Sequence, residues 1–359
     1  MNNIRLTDLI SNLPQKIDSC LIFDNANKRY LTGLNTDDAG TLIIGRNSSF
    51  FIIDSRYIEV AKRCISSDIE VVLQQNLFEQ INEIFSMQNT RSYCIETQTT
   101  SVFLCEKLKK TIKSSSLDLS VDAGEIVSKL RAIKSFDELE NIKTAQKITE
   151  KAFDYILGKI KEEISEKELA LELEFYMRSN GATATAFEII FIGGKNTSMP
   201  HGVPGKYRLK KGDLITIDFG ADYNGYKSDM TRTLALGSVN DEQKTVYKTV
   251  LAAQNAALEI IKEGVLCSDV DKRARDVIKT AGYGDFFGHA LGHSVGLEIH
   301  EAPNFSPKCN EILKEGMVLT VEPGIYLPEK FGVRIEDMVY VTKNGAENLT
   351  KSDKTLIIL

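Results

Sequence analysis

Histidine is scarce in this chain. There are 4 among 359 residues, at positions 201, 289, 293 and 300. Long basic runs are missing, and the formal net charge is −6, so nothing is built to track a phosphate backbone and nucleic acid is excluded as a partner. No apolar run is long enough to span a bilayer. The opening Met1-Asn-Asn-Ile-Arg-Leu-Thr-Asp8 lacks the apolar core of a signal peptide, so the expectation is a cytoplasmic protein with no membrane association. The 6 cysteines (Cys20, Cys64, Cys94, Cys105, Cys267, Cys309) include no Cys-x-x-Cys pair, which fits reduced, mostly buried thiols better than a disulfide framework or a zinc ribbon. What remains is the composition of an ordinary globular protein, with room for two domains.

All four histidines fall between His201 and Glu336, among glycines and the acids Asp218, Asp229, Glu322 and Glu336. Two pieces of this stretch resemble each other. Lys211-Gly-Asp-Leu-Ile-Thr-Ile-Asp-Phe-Gly220 aligns with Glu315-Gly-Met-Val-Leu-Thr-Val-Glu-Pro-Gly324, so that Asp218 matches Glu322. Asp229 follows Gly225 by four residues as Glu336 follows Gly332, and His201-Gly-Val-Pro204 matches His300-Glu-Ala-Pro303. The repeat predicts two related halves facing one another, each giving two carboxylates and a histidine to a central site. His289 and His293 occur in the second half alone.

Along the chain, the first third alternates strands (20–24, 41–44, 50–53, 69–72, 93–95, 117–121) with helices (56–64, 77–85, 102–112). That is the pattern of a small α/β domain, here taken as residues 1–122. Near Asp122 the pattern changes. Asp122-Ala-Gly-Glu125 can cap a helix running to Ile133, and Ser135-Phe-Asp-Glu138 and Ser165-Glu-Lys-Glu168 are capping boxes that open further helices. Helices over 241–262 and 268–281 follow, with strands before and after. Residues 123–359 are therefore expected to form an α+β domain with a mostly antiparallel sheet.

Asp218 ends the apolar strand Leu214-Ile-Thr-Ile217, and Asn224-Gly225 predicts a two-residue hairpin turn. The register then pairs Tyr223 with Tyr226, Gly220 with Asp229 and Asp218 with Thr231. Asp218 and Asp229 become diagonal neighbours on one face, roughly 7–8 Å apart. Carboxylates that close repel unless one is protonated or a cation lies between them. A pair of solvated hairpin acids is the bland alternative, and it suits an acid at the end of a buried strand poorly. Glu322 repeats the setting after Met317-Val-Leu-Thr-Val321. Alternation puts Arg334 on the face of Glu336, where a simple Arg334–Glu336 salt bridge is the competing reading. His289 and His293 have i, i+4 spacing, but Gly288, Gly292 and Gly296 argue against a helix. One histidine among four carboxylates makes a hard, oxygen-rich site suited to two hydrolytic divalent ions, Mn²⁺ or similar.

Six segments in this order carry a resemblance: Phe187 to Gly202, Ile217-Asp-Phe-Gly220, Ser228-Asp-Met-Thr-Arg232, Gly288 to Glu301, Val321-Glu-Pro-Gly324 and Val333-Arg-Ile-Glu-Asp337. Together the chain resembles the pita-bread metallopeptidases, and within them the Xaa-Pro group of aminopeptidase P and prolidase. Tyr30-Leu-Thr-Gly33 resembles a creatinase-type N-terminal domain, and Leu130-Arg-Ala-Ile-Lys-Ser135 the usual opening of the catalytic domain. The resemblance implies a pita-bread catalytic domain with a pseudo-twofold repeat behind a smaller α/β domain. It implies two divalent metal ions, Mn²⁺ with Co²⁺ or Zn²⁺ as alternatives, held by Asp218, Asp229, His293, Glu322 and Glu336, with Asp229 and Glu336 bridging. His201, His289 and His300 match substrate and transition-state positions, Arg334 a substrate-site arginine, and Glu322 the proton shuttle. Peptides with proline in second position become the expected substrates and a homodimer the expected assembly. Ser294, where glycine is more usual, and Ala290-Leu291 depart from the family pattern. Methionine aminopeptidase, metal-free creatinase-like hydrolysis and a catalytically silent binding module are the rival readings.

Overall fold

The computed structural model describes residues 4–359. The chain divides into two compact units, the first ending at Arg131 and the second running from Ala132 to Leu359. Among the described residues no helix is long and apolar enough to cross a membrane.

In the first unit, strands β1 (Ser19–Ile22), β2 (Thr41–Gly45), β3 (Ser49–Ile53), β4 (Ile69–Leu73), β5 (Ser92–Ile95) and β6 (Ser116–Asp122) form one sheet in the order β4-β3-β2-β1-β5-β6. The helices are α1 (Ile4–Asn12), α2 (Asn25–Thr32), α3 (Ile58–Cys64), α4 (Leu77–Gln88), α5 (Val102–Thr111) and α6 (Ala123–Ala132), the last ending at the boundary between the units. Every residue of β1, β2 and β3 is buried, as their continuous apolar runs require. The helices α1 and α2 were not among those expected. The second has mean composition too polar for periodicity to reveal it, and it is set by Asp24, whose side chain accepts from Asn27 N, and by Gly33 in the left-handed region. All six cysteines are free thiols.

The second unit opens with α7 (Phe136–Leu157) and α8 (Glu166–Ser179), both started by the expected capping boxes at Ser135 and Ser165. Strands β7 (Ala184–Thr185), β8 (Ile190–Gly193), β9 (Leu214–Phe219), β10 (Ala221–Tyr223), β11 (Tyr226–Lys227) and β12 (Met230–Ala235) complete the first half. The second half repeats the order: α9 (Asp241–Leu258), α10 (Cys267–Thr280), then β13 (Gly292–Ser294), β14 (Glu301–Phe305), β15 (Val318–Val321), β16 (Gly324–Leu327), β17 (Phe331–Arg334), β18 (Asp337–Val341) and β19 (Ala346–Asn348). The sheets are β12-β9-β8, β11-β10-β7, β14-β13-β15-β18-β19 and β16-β17, and every ladder between these strands is antiparallel.

Each half buries its strands under its own helix pair. Ala145, Ala152 and Phe153 of α7 and Leu169, Leu173 and Met177 of α8 pack with Phe191, Ile215, Ile217 and Phe219. Val246, Val250 and Ala253 of α9 and Val270, Ala274 and Ile278 of α10 pack with Leu319, Val321, Ile325 and Val339. Each such fully buried Val, Leu, Ile, Phe or Met side chain contributes about 1.5–3 kcal/mol, and each alanine about 0.8 kcal/mol. Gln254 lies within this apolar layer because its amide donates to the carbonyls of Val321 (3.1 Å) and Ile335 (3.3 Å), the residues directly before Glu322 and Glu336. Packing and site geometry therefore meet on one helix face.

Candidate metal centre

The hairpin register delivers the acids. Tyr223 lies opposite Tyr226 and Asp218 opposite Thr231, with Asn224 and Gly225 both at positive φ in the turn. The ladder pairs Phe219 with Met230 and resumes at Asp222 with Lys227, leaving Asp229 in the gap. The second half does the same: Gly324 pairs with Arg334 and Val321 with Asp337, leaving Glu322 and Glu336 between the two ladders. The halves are sewn together there, since Glu336 N donates to Thr231 O at 3.1 Å and Arg334 N to Thr233 Oγ1 at 3.1 Å. His293 sits on strand β13, not on a helix, and the flanking Gly292 is required because a Cβ there would fall 2.0 Å from Thr320 O.

Ligand atoms of Asp229, His293 and Glu336 all lie within 4.8 Å of one another. His293 Nε2 is 3.4 Å from Glu322 Oε1 and 3.6 Å from Asp229 Oδ2. Its Nδ1 faces Ser294 O at 3.2 Å, which assigns the ring proton to Nδ1 and the lone pair to Nε2. Burial, with His300 adding to it, lowers the His293 pKa to about 4, so the ring is neutral near pH 7 and its lone pair points at carboxylate oxygens. Lone pair against carboxylate is repulsive unless a proton or a metal cation lies between them. Three buried carboxylate oxygens, Asp218 Oδ1, Asp229 Oδ1 and Glu336 Oε1, accept no hydrogen bond. Orphaned buried carboxyl oxygens are costly, and Asp229 and Glu336 gather here with the His293 imidazole. The donor set fits hard divalent cations.

Electrostatics agree. Burial, reinforced by Glu336, Asp218 and Glu322, raises the Asp229 carboxyl well above its ordinary range. Burial and then Glu322 and Asp218 do the same to Glu336. Glu322 is pushed up to about 8, by burial first and Asp218 after it. Three acids held this way are an assembly waiting for positive charge.

Asp218 is held differently. Arg334 Nη2 donates to its Oδ2 at 2.6 Å, and both side chains are shielded from solvent. The Arg334–Glu336 salt bridge considered from the sequence does not form. The strand break after Arg334 separates the two residues, and Asp218 takes the guanidinium instead. Arg334 also donates to Thr231 Oγ1 (3.1 Å), Tyr326 OH (2.8 Å) and Pro200 O (3.2 Å). The Thr231 hydroxyl in turn donates to Glu336 Oε2 at 2.7 Å. Thr320 has the same role on the other side: it accepts from His293 N (3.0 Å) and donates to Glu322 Oε1 (3.2 Å).

His289 Nδ1 faces Ala290 O at 2.8 Å, which leaves Nε2 to accept from Tyr326 OH at 3.0 Å. Burial lowers its pKa to about 4 as well. Its ring contacts Phe287 and Tyr326, while the ring packed edge-on against His293 is that of His300, with centroids 4.4 Å apart. His201, on the loop after the 3₁₀ turn Gly194–Ser198, is exposed. All four histidines, the four acids and Arg334 line one cavity of about 830 Å³, with Phe187, Ile189, Ile190, Val203 and Ile299 as its apolar wall. Ser294, one of the departures from the family pattern, is buried and donates to Pro303 O at 2.8 Å, so it braces β13 against β14 and does not line the cavity.

Sequence reading missed Thr231, Thr320 and Tyr326. Thr320 was detectable, because alternation places it on the face of Glu322 two residues later. Tyr326 was not: its place depends on the β16–β17 register and on Gly324, where a Cβ would overlap its hydroxyl end.

Comparison with known proteins gives a consistent picture. Residues 140–343 match the profile described as metallopeptidase family M24, and residues 6–133 match the creatinase/prolidase N-terminal domain. The chain is 39% identical over 354 residues to the Xaa-Pro dipeptidase of Pyrococcus furiosus, covering 98% of this chain and 99% of that one. Among solved structures, an Xaa-Pro dipeptidase from Bacillus anthracis superposes with a TM-score of 0.95 at 38% identity, covering 99% of both chains. An X-Pro aminopeptidase from Thermotoga maritima gives 0.88 at 35% identity, covering 96% of this chain and 98% of that one.

Proposed function

The chain belongs to metallopeptidase family M24, and on that premise we propose that it hydrolyses the peptide bond between an N-terminal residue and proline. The observation that carries this is the gathering of Asp229, His293 and Glu336, with ligand atoms within 4.8 Å of one another, in a cavity also lined by Asp218, Glu322 and three further histidines, where buried oxygens of Asp218, Asp229 and Glu336 lack hydrogen-bond partners. Asp218, Asp229, His293, Glu322 and Glu336 would hold two divalent ions, with Asp229 and Glu336 shared between them and Mn²⁺ the preferred metal. Bound there, such ions supply a nucleophilic hydroxide at neutral pH and polarise the scissile carbonyl.

The remaining work falls to the chain's own groups. Glu322, beside His293 in the cavity, takes the proton released by the attacking water and returns it to the leaving nitrogen. His201 and His300 flank the cavity where the carbonyl oxygen must lie and donate to the charge that develops on it. Proline's nitrogen carries no hydrogen, so its ring is recognised by shape, for which the apolar wall and the His289 face are suited. Arg334 fixes the Asp218 carboxylate in place. The free thiols support a cytoplasmic enzyme, and the family resemblance a homodimer.

The test is to strip metal with a chelator and restore Mn²⁺, assaying Gly-Pro, Gly-Pro-Gly and Gly-Ala-Gly side by side. Restored cleavage of the proline bonds with the alanine bond at least about tenfold slower in kcat/KM supports the reading. Equal rates on alanine and proline bonds would replace it with a general aminopeptidase, and no recovery with a binding module.

A further inference from the structure

Arg232 is among the largest fully buried side chains of the protein, and nothing in the proposed chemistry uses it. Its guanidinium has five N–H donors, and five acceptors surround it. Nε donates to Asp353 O at 2.9 Å. Nη1 donates to Thr231 O at 2.9 Å and Glu336 O at 2.5 Å. Nη2 donates to Asp337 Oδ1 and to Ser352 O, both at 2.8 Å. Asp337, with no exposed side-chain surface, is completed by Lys354 Nζ at 2.9 Å and Asn348 Nδ2 at 2.8 Å.

Three of these acceptors bear directly on the metal centre. Glu336 O belongs to the proposed ligand, in the gap between β17 and β18 where no ladder holds the backbone, and Asp337 Oδ1 to its neighbour, the first residue of β18. Thr231 O is the carbonyl that also receives Glu336 N, and the Thr231 hydroxyl binds the Glu336 carboxylate. The other two, Ser352 O and Asp353 O, lie on the C-terminal segment.

We propose that Arg232 is a positioning residue for the metal centre: its fork clamps the unladdered backbone at Glu336 between strand β12 and the C-terminal segment, fixing the reach of the bridging carboxylate. A lysine keeps the charge but has three donors on one nitrogen and cannot meet acceptors on four sides of a plane. Outer groups that orient ligands are worth about 10–100-fold in metal affinity.

This rests on Glu336 being a ligand, and the experiment separates the two claims. Mn²⁺ binding to chelator-stripped protein is measured by calorimetry for wild type, Arg232→Lys, Arg232→Met and Leu173→Ala. The last opens a cavity in the buried face of α8 and serves as a control for general destabilisation. Binding weakened about tenfold or more in both Arg232 variants, with Leu173→Ala like wild type, supports the assignment. Arg232→Lys within about twofold of wild type overturns it, as does equal loss in Leu173→Ala. Wild type that binds no Mn²⁺ would overturn the metal reading and this inference with it. Should neither Arg232 variant fold, Lys354→Met takes their place, since Lys354 is partly exposed and its Nζ meets Asp337 Oδ2 at 2.9 Å, with Asn255 Oδ1 farther off at 3.5 Å. There, about threefold weaker binding supports the clamp and unchanged binding overturns it.

Discussion

Replacing a metal ligand usually weakens a protein; replacing the proposed ligand Glu336 should do the opposite when no metal is bound. Ligand oxygens of Asp229 and Glu336 lie no more than 4.8 Å apart. Two unit charges at that distance repel by about 3.5 kcal/mol at an effective dielectric constant of about 20. Asp218 and Glu322 add to this, while Arg334 offsets part of it. Proton uptake by one acid relieves a share, so Glu336→Gln should stabilise the metal-free protein by about 2 kcal/mol. That corresponds to a Tm higher by about 4–8 °C for a unit of this size. Adding Mn²⁺ reverses the order. Wild type gains about 2.7 kcal/mol at a hundredfold excess over Kd, and the variant, short of a bridging oxygen anion, gains much less. Scanning calorimetry of both proteins, each with chelator and with Mn²⁺, should give crossed Tm values. A Gln variant that melts at or below wild type in chelator would refute the charge argument, and an equal gain with Mn²⁺ would refute the role of Glu336.

The histidines should divide by role: His293→Ala should lose metal, measured by elemental analysis, whereas His300→Ala should keep it and lose at least about a hundredfold in kcat. Tyr326→Phe removes the hydroxyl that joins Arg334 to His289, leaving Arg334 Nη1 with Pro200 O alone. Metal content should hold while kcat/KM on proline bonds falls about tenfold, the loss of one hydrogen bond to a charged donor; a variant indistinguishable from wild type would make that link idle. Lys134→Met should cost about 3 kcal/mol in denaturant unfolding, because Lys134 and Glu301 form an ion pair at 3.1 Å with side chains 1% and 4% exposed. A loss below about 0.5 kcal/mol would show that Glu301 is satisfied without it.

Local chemistry determined much of this protein. Capping boxes at Ser135 and Ser165 started the helices where they were expected, and Asn224-Gly225 set a hairpin register that puts Asp218 opposite Thr231. The doubled strand-acid pattern foretold four carboxylates, and residue scarcity pointed to the histidines. These signals are short-range, so a linear reading reaches them. What the linear reading could not decide was who pairs with whom across the two halves. Arg334 and Glu336 share a strand face on paper, yet Arg334 binds Asp218 from the other half. Arg232 looked like one more basic residue in a motif, but it is completed by carbonyls from Ser352 and Asp353, more than a hundred residues on. Tyr326 reaches His289 only because Gly324 leaves room for its ring. Each of these depends on how strand breaks bring the halves together, and that is settled by packing over the whole unit, where no local propensity carries the information.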